Sequence, residues 1–461
     1  VTAISFISSL NASQIKTLTT TSMQKLSSDQ VNALSTTQVA ALNSAQLAAI
    51  DTEDMNSLKL TSLTSTALQG LTTQQLDAIT AGVVAFEESQ ISGLSSTIIA
   101  ALDTDDLDAL ASANKLDDIN VKSISYLQTD RLSSTAVAGL STTQINKLDA
   151  SQLTGLVSEA VAELTALQLG AISSTAIAGL ETEDMAIFNN ATTGQAKLEA
   201  LSAKVVAAME TEDLLALDTV GGGFLKTDQI AALTSDQVSA LTADEVGGWN
   251  AAQVNALTSK QIAALNVSAL STAQQGMLTS TQIAGLSSTQ IGDVDSTAFS
   301  AWTTTQLQGL TAAAAAGLTT DQAASLDGAD LNALALKTLS AISGTNLAQV
   351  ATGAIALLDT DSIKALTALQ IAGLTTEQVT ALTDTQIGAM SSAQISAFED
   401  GDIALFTSAE IGAIATSAIN GLSEDDIMGL SDTLLDGITT AQAQAMKADQ
   451  VNWVIAAYAA P

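Results

Sequence analysis

Large apolar residues recur along this chain at alternating intervals of five and three. Leu34, Val39, Leu42, Leu47 and Ile50 form one such run, and each of its two phases returns every eight residues. In register the unit reads Leu/Ile, Ser/Thr/Asp, two small or polar residues, Gln/Asp/Glu, Ile/Val/Leu, a variable residue, and Ala or Gly. It can be followed from Leu10 to Leu58, from Ile124 to Phe188 and from Met209 to Leu265, then without a slip from Leu278 to Val454. Roughly fifty octads cover about nine-tenths of the sequence, so the repeat is read before any local motif.

Geometry selects one conformation for this period. A strand would send residues five and three apart to opposite faces. In one continuous helix, eight residues turn through about 800°, so the apolar stripe would precess by about 80° per unit and wind around the outside. One short helix per octad fits. Ser35 with Gln38 three residues on is a capping box, and Leu34 with Val39 is the hydrophobic staple that brackets it. The next unit repeats the signal with Leu42, Asn43, Gln46 and Leu47.

A single such unit cannot fold, because ordering eight backbone residues costs more than two buried aliphatics and one cap return. Stability has to come from neighbours in a row. The spacing therefore predicts an all-α, elongated solenoid of stacked octads running as a single continuous repeat array through residues 1–461. Gly93, Gly139, Gly179, Gly285 and Gly373 stand just before an apolar anchor and would let adjacent segments approach closely.

Five-residue steps interrupt the register near 58–63 (LKLTSL), 119–124 (INVKSI), 196–201 (AKLEAL) and 265–270 (LNVSAL), and read as corrections or corners in the superhelix. The Gly-rich stretch VGGGFLK near 218–224 reads as a hinge. Both ends are apolar, with Phe6, Trp453 and Tyr458, where a solenoid expects polar caps. The chain is thus expected to continue into other domains or to associate with itself, end to end or laterally.

Composition narrows the function. Fourteen basic residues stand against 48 acidic, a net charge of -34 that disfavours nucleic acid and anionic membranes. No apolar run is long enough to span a bilayer, so membrane insertion is not expected. The start of the sequence, VTAISFISSL, has no basic n-region of a signal peptide. The chain has no Cys and no His, which removes disulfides, thiolate metal sites and the commonest acid–base residue at neutral pH. The expectation is a non-enzyme, with no catalytic, cofactor or metal-ligating residue to assign.

Acidic clusters occur at DTEDM (Asp51 to Met55), DTDDLD (Asp103 to Asp108), ETEDM (Glu181 to Met185), ETEDL (Glu210 to Leu214), EDGD (Glu399 to Asp402) and SEDDI (Ser423 to Ile427). They fall where a carboxylate favours the positive end of a helix, which accounts for them without a ligand. Their only metal reading is weak Ca²⁺ binding. Rows of Ser, Thr and Gln could form a hydroxyl- and amide-bearing face for glycan, ice or a protein partner.

The phrases LTTDQAASL (Leu318 to Leu326) and LTSDQVSAL (Leu233 to Leu241) resemble the opening helix of TAL-effector repeats, over that one capped helix only. Nearly the whole chain resembles LTTxQIxAL-type tracts of very large secreted or surface proteins of bacteria, adhesin-like and exported by type I systems. That resemblance implies an extracellular structural protein at the bacterial cell surface, a subunit of a filament or layer or an adhesin stalk, and it transfers no catalytic residue. The other reading is a binding module that presents the Thr/Ser/Gln face.

Overall fold

The computed structural model describes residues 3–190, 192–217, 225–399 and 401–459. Among them every regular element is an α-helix or a 3₁₀ turn, and none is a strand, so the all-α expectation holds. Most helices are four to six residues long, one per octad, as with Thr36–Val39 and Ser44–Ala48. The chain forms two compact units, Val1–Leu233 and Thr234–Pro461. Each is a helical solenoid. The hinge expected near 218–224 lies outside the described residues.

Each octad folds as its cap dictates. In the opening example Ser35 takes extended backbone, the Gln38 N–H donates to Ser35 Oγ, and the Ser35 N–H donates to Gln38 Oε1 at 2.8 Å. The staple residues Leu34 and Val39 are both buried, as are Leu42, Leu47 and Ile50 of the next unit. The two apolar positions of the octad thus form the core, and the third and fourth positions face outward.

Within the first unit, Ala12–Lys16 packs on Thr36–Val39, and Thr20–Met23 packs on Ser44–Ala48. Within the second, Ala312–Ala315 packs on Leu336–Leu339, and Thr320–Ala324 on Gly344–Leu347. Each helix therefore meets the third helix along. Side-chain amides reach farther: Gln38 Nε2 donates to the carbonyls of Ile7 and Leu10, 31 and 28 residues back. One turn of the solenoid accordingly takes between three and four octads.

Glycine sits where turns touch. A Cβ on Gly317 would overlap the carbonyl of Ser288, and one on Gly179 would overlap that of Ala150. Gly93, Gly285 and Gly373 likewise face backbone or Cβ atoms of the adjoining turn at close range, as their octad position implies. Gly139 is looser, with only ordinary contacts to Leu116 and Ala111.

The inter-turn bonds also locate the register breaks. Gln144 donates to Leu116 and Ile119, and Gln152 donates to Ile124 and Leu127. Ile119 to Leu127 is therefore a full octad, and the break expected at 119–124 lies instead at Leu127–Leu132. Sequence spacing misplaced it because Ile124 and Leu132 are themselves eight residues apart and imitate an uninterrupted register. With this correction the breaks begin at Leu58, Leu127, Ala196 and Leu265, each 69 residues after the last, the length of eight octads and one pentad.

A pentad is too short for a capped α-turn, and three of the four close as 3₁₀ turns: Leu60–Ser62, Thr129–Arg131 and Val267–Ala269. The fourth lies mostly within the helix Gly194–Ala200. Where a pentad intervenes, Gln finds its carbonyls three residues nearer, as when Gln75 reaches Leu47 and Ile50, 28 and 25 residues back. The pentad thus stands in for an octad as one side of a shortened turn.

Two glycine substitutions test the packing. Gly353 lies in the helix Thr352–Ala356 with nothing within 4 Å of an added Cβ. Gly353→Ala should stabilise the protein by about 0.5 to 1 kcal/mol through helix propensity. Gly317→Ala should destabilise it by about 1 to 3 kcal/mol through overpacking. Urea midpoints moving in opposite directions would confirm the assignment, and a neutral Gly317→Ala would refute the close approach.

Candidate functional site: the inter-turn amide ladder and its acidic gaps

The recurring Gln is the most heavily used polar group of the fold. Gln386 illustrates it: Oε1 accepts the Thr383 N–H at 2.9 Å, and Nε2 donates to the carbonyls of Ile355 and Leu358, both at 2.9 Å. Its side chain is only 2% exposed. Gln168, Gln229, Gln322, Gln370, Gln378, Gln394, Gln442 and Gln450 make the same pair of bonds at the same separations. Each amide caps its own helix and ties it to the turn before.

Sequence reasoning identified Gln as the partner in a capping box, and it missed the second use. A capping box accepts Glu as readily as Gln. A chain with this excess of acid that still prefers Gln at that position needs the amide's N–H donors. Most of these Gln side chains are interior, Gln14 being exposed and Gln30, Gln290 and Gln306 half-buried, so Gln adds little to an outward face: the cap hydroxyls are turned to the helix N–H groups, and the exposed hydroxyls are those of the third and fourth positions.

Where the ladder lacks Gln, scarce cations fill in. Lys59, inside the first pentad, donates from Nζ to the carbonyls of Leu34 and Asn32 at 2.5 and 2.8 Å. Arg131, inside the second, reaches Leu102 O at 2.9 Å, and Lys197, inside the third, reaches Ala162 O at 2.7 Å. Lys115 donates to Phe86 O and Val84 O at 2.8 and 3.1 Å. Four of the fourteen basic residues are therefore fixed by orphan backbone carbonyls rather than by a ligand.

The acidic clusters occupy the same boxes. Asp103 Oδ1 accepts the Asp106 N–H, Glu181 N–H donates to Asp184 Oδ2, and Ser423 donates from N and Oγ to Asp426 Oδ2. The structure spreads these carboxylates along separate octads. Among the described residues no three His, Cys, Asp or Glu side chains are gathered to hold a metal ion.

Asp54, Asp184 and Asp213 stand at the Gln position and are 4 to 5% exposed. Asp184 keeps the capping box with Glu181, Asp54 and Asp213 close none, and none of the three carboxylates has an N–H for the turn before. Burial pushes the Asp213 carboxyl up, reinforced by Glu210, Glu212 and Asp184 and opposed by the hydroxyl of Thr182, which donates at 2.9 Å. Burial, then Asp103, likewise raises Asp106, and burial raises Asp330 and Asp402. Asp359 moves the other way, because the Ser362 N–H donates to its carboxylate.

Two measurements follow. Gln386→Ala should lower stability by about 2 to 4 kcal/mol, the combined loss of its hydrogen bonds and of partners for two carbonyls. Gln386→Glu should cost at least as much at neutral pH and recover in acid, where a protonated carboxyl can donate; urea unfolding at two pH values reads both. A raised carboxyl pKa contributes stability below its unfolded value, lost as pH rises through the folded one. Asp213→Asn should therefore raise stability at neutral pH and reduce its decline between mildly acidic and neutral pH, whereas an unchanged pH profile would contradict the assignment.

Among the described residues no helix is long and apolar enough to cross a membrane. No curated protein matches the chain. Among solved structures it is similar, at 10% identity and a TM-score of 0.21, to a chain of a homology model of the full-length AP-3 complex in an intermediate open conformation, over 99% of this chain and 86% of that one. Residues 7–44, 28–60, 206–243 and 355–392 match the ALTTAQ repeat. The chain is a repeat tract, and in those stretches its octads are similar to that family.

Proposed function

We propose that this chain is an extracellular structural repeat protein, a length of a bacterial surface filament or layer or of an adhesin stalk. The observation that carries the reading is the amide ladder. The most buried polar side chains of the fold are spent on joining one turn to the next, and the same bond recurs along each solenoid unit. Cohesion of this kind is distributed among many equivalent interfaces, needs neither disulfide nor metal, and suits a part that must resist tension along a row. The acidic exterior supports it by keeping a long apolar-rich chain dispersed.

Self-association through repeat-like contacts belongs to the same proposal. Negative-stain microscopy of the purified protein over a range of concentrations tests it. Rods that lengthen or bundle as concentration rises are the expected result. Particles of one length at all concentrations would remove the filament or layer and leave the stalk, and compact globules would overturn the structural reading itself.

A further inference from the structure

Several asparagine amides of this fold are spent on backbone carbonyls of another turn: those of Asn56, Asn146, Asn332 and Asn420 donate to Ala78, Ala171, Leu357 and Ala445. Asn266 differs. It opens the fourth pentad in extended backbone, it is exposed, and its Nδ2 has no partner among the described residues. Lys59 and Lys197, which open the first and third pentads, both reach the turn before. The fourth pentad is held without Asn266, because Gln275 Nε2 donates to its Val267 and Leu270 carbonyls at 3.2 and 2.9 Å.

Asn266, Val267 and Ser268 spell Asn-x-Ser/Thr, the acceptor triplet of N-linked glycosylation. The chain holds three such triplets, and geometry separates them. Val267 is buried, while Asn266 and Ser268 on either side of it are exposed. Asn266 Oδ1 accepts the Ser268 N–H at 3.2 Å and the Ser268 hydroxyl at 2.7 Å. An amide nitrogen is a poor nucleophile because its lone pair is delocalised. Two donors on the amide oxygen stabilise the negative charge that collects there as an N–H proton is lost. In the second triplet Asn11 Oδ1 serves the Gln14 N–H, and Ser13 already stands inside the helix Ala12–Lys16. In the third, Asn190 Oδ1 takes the N–H groups of Thr192 and Thr193. Among the described residues neither receives a hydroxyl from its own triplet.

We propose that Asn266 is an N-glycan acceptor, taking a sugar on Nδ2 from a glycosyl diphosphate donor. In the transfer the C1–O bond to the diphosphate breaks and the Nδ2–C1 bond forms. One amide proton passes to a base of the transferase, and the diphosphate leaves with the bonding electrons. Ser268 supplies the hydrogen bonds that ready the amide. A sugar here costs no inter-turn bond, and it places bulk and hydration at a break in the octads. Acceptance of a sugar does not depend on the chain's forming a filament or a stalk.

Incubation of the folded chain with a soluble Asn-x-Ser/Thr-directed N-glycosyltransferase and UDP-glucose, followed by peptide mass spectrometry, tests the site. A hexose at Asn266 is expected, ahead of any at Asn11 or Asn190. Ser268→Ala should slow its addition at least about tenfold, Ser268→Thr should keep it, and Asn266→Gln should abolish it. Both positions are exposed, and circular dichroism establishes that the variants remain folded. No hexose at Asn266, an undiminished rate in Ser268→Ala, or labelling that appears only once the chain is unfolded would overturn the proposal. So would faster labelling of Asn11.

Discussion

A backbone carbonyl at the end of so short a helix has no partner within its own helix, and such carbonyls recur from octad to octad. Their satisfaction is the constraint on which the solenoid depends. The carbonyls of the two apolar positions point toward the following turn, where water is excluded and an unpaired acceptor is costly. One buried amide per octad resolves both by donating its two hydrogens, while its oxygen accepts the N–H at the start of its own helix. Local capping and long-range stacking are therefore one interaction with two ends. Neither a cap alone nor an apolar face alone would fix the distance between turns.

Much of the fold was legible in the sequence because its determinants are local. The Ser35 to Gln38 box, the Leu34 to Val39 staple and the glycines before the anchors are defined within eight residues, and all but Gly139 take their expected places. The inter-turn role of Gln was not legible, since it depends on what lies 28 or 31 residues earlier. The same distance hid the true position of the second break: Ile124 and Leu132 satisfy the octad spacing, and only the carbonyl pairs chosen by Gln144 and Gln152 show that Leu127 is the anchor between them. Lys59, Arg131 and Lys197 each answer a carbonyl one turn away, a relation that the spacing within an octad does not show. The acidic boxes were correctly tied to helix starts, but their effect on the adjoining turn, as at Asp184 and Asp213, is again non-local.

The ladder also explains how such a chain tolerates variation. Thr338 and Asn346 replace Gln and retain one bond each, to Leu310 and Leu318. Each departure weakens one interface and leaves its neighbours intact, as expected of a one-dimensional array. Pentads at a fixed spacing shorten single turns without interrupting the column of donors and acceptors. An array built this way can be long, free of disulfides and locally adjustable, and the proposed structural role asks for those properties.

Hydrogen exchange at the glutamine side-chain amides tests the central claim most directly. If Nε2 bridges adjoining turns, the amide protons of Gln322, Gln370, Gln378 and Gln386 will exchange as slowly as the core backbone amides of their own octads, while those of exposed Gln308 exchange freely. Side-chain protons of the buried glutamines that exchange at the rate of a free amide, in a protein whose backbone is protected, would contradict it.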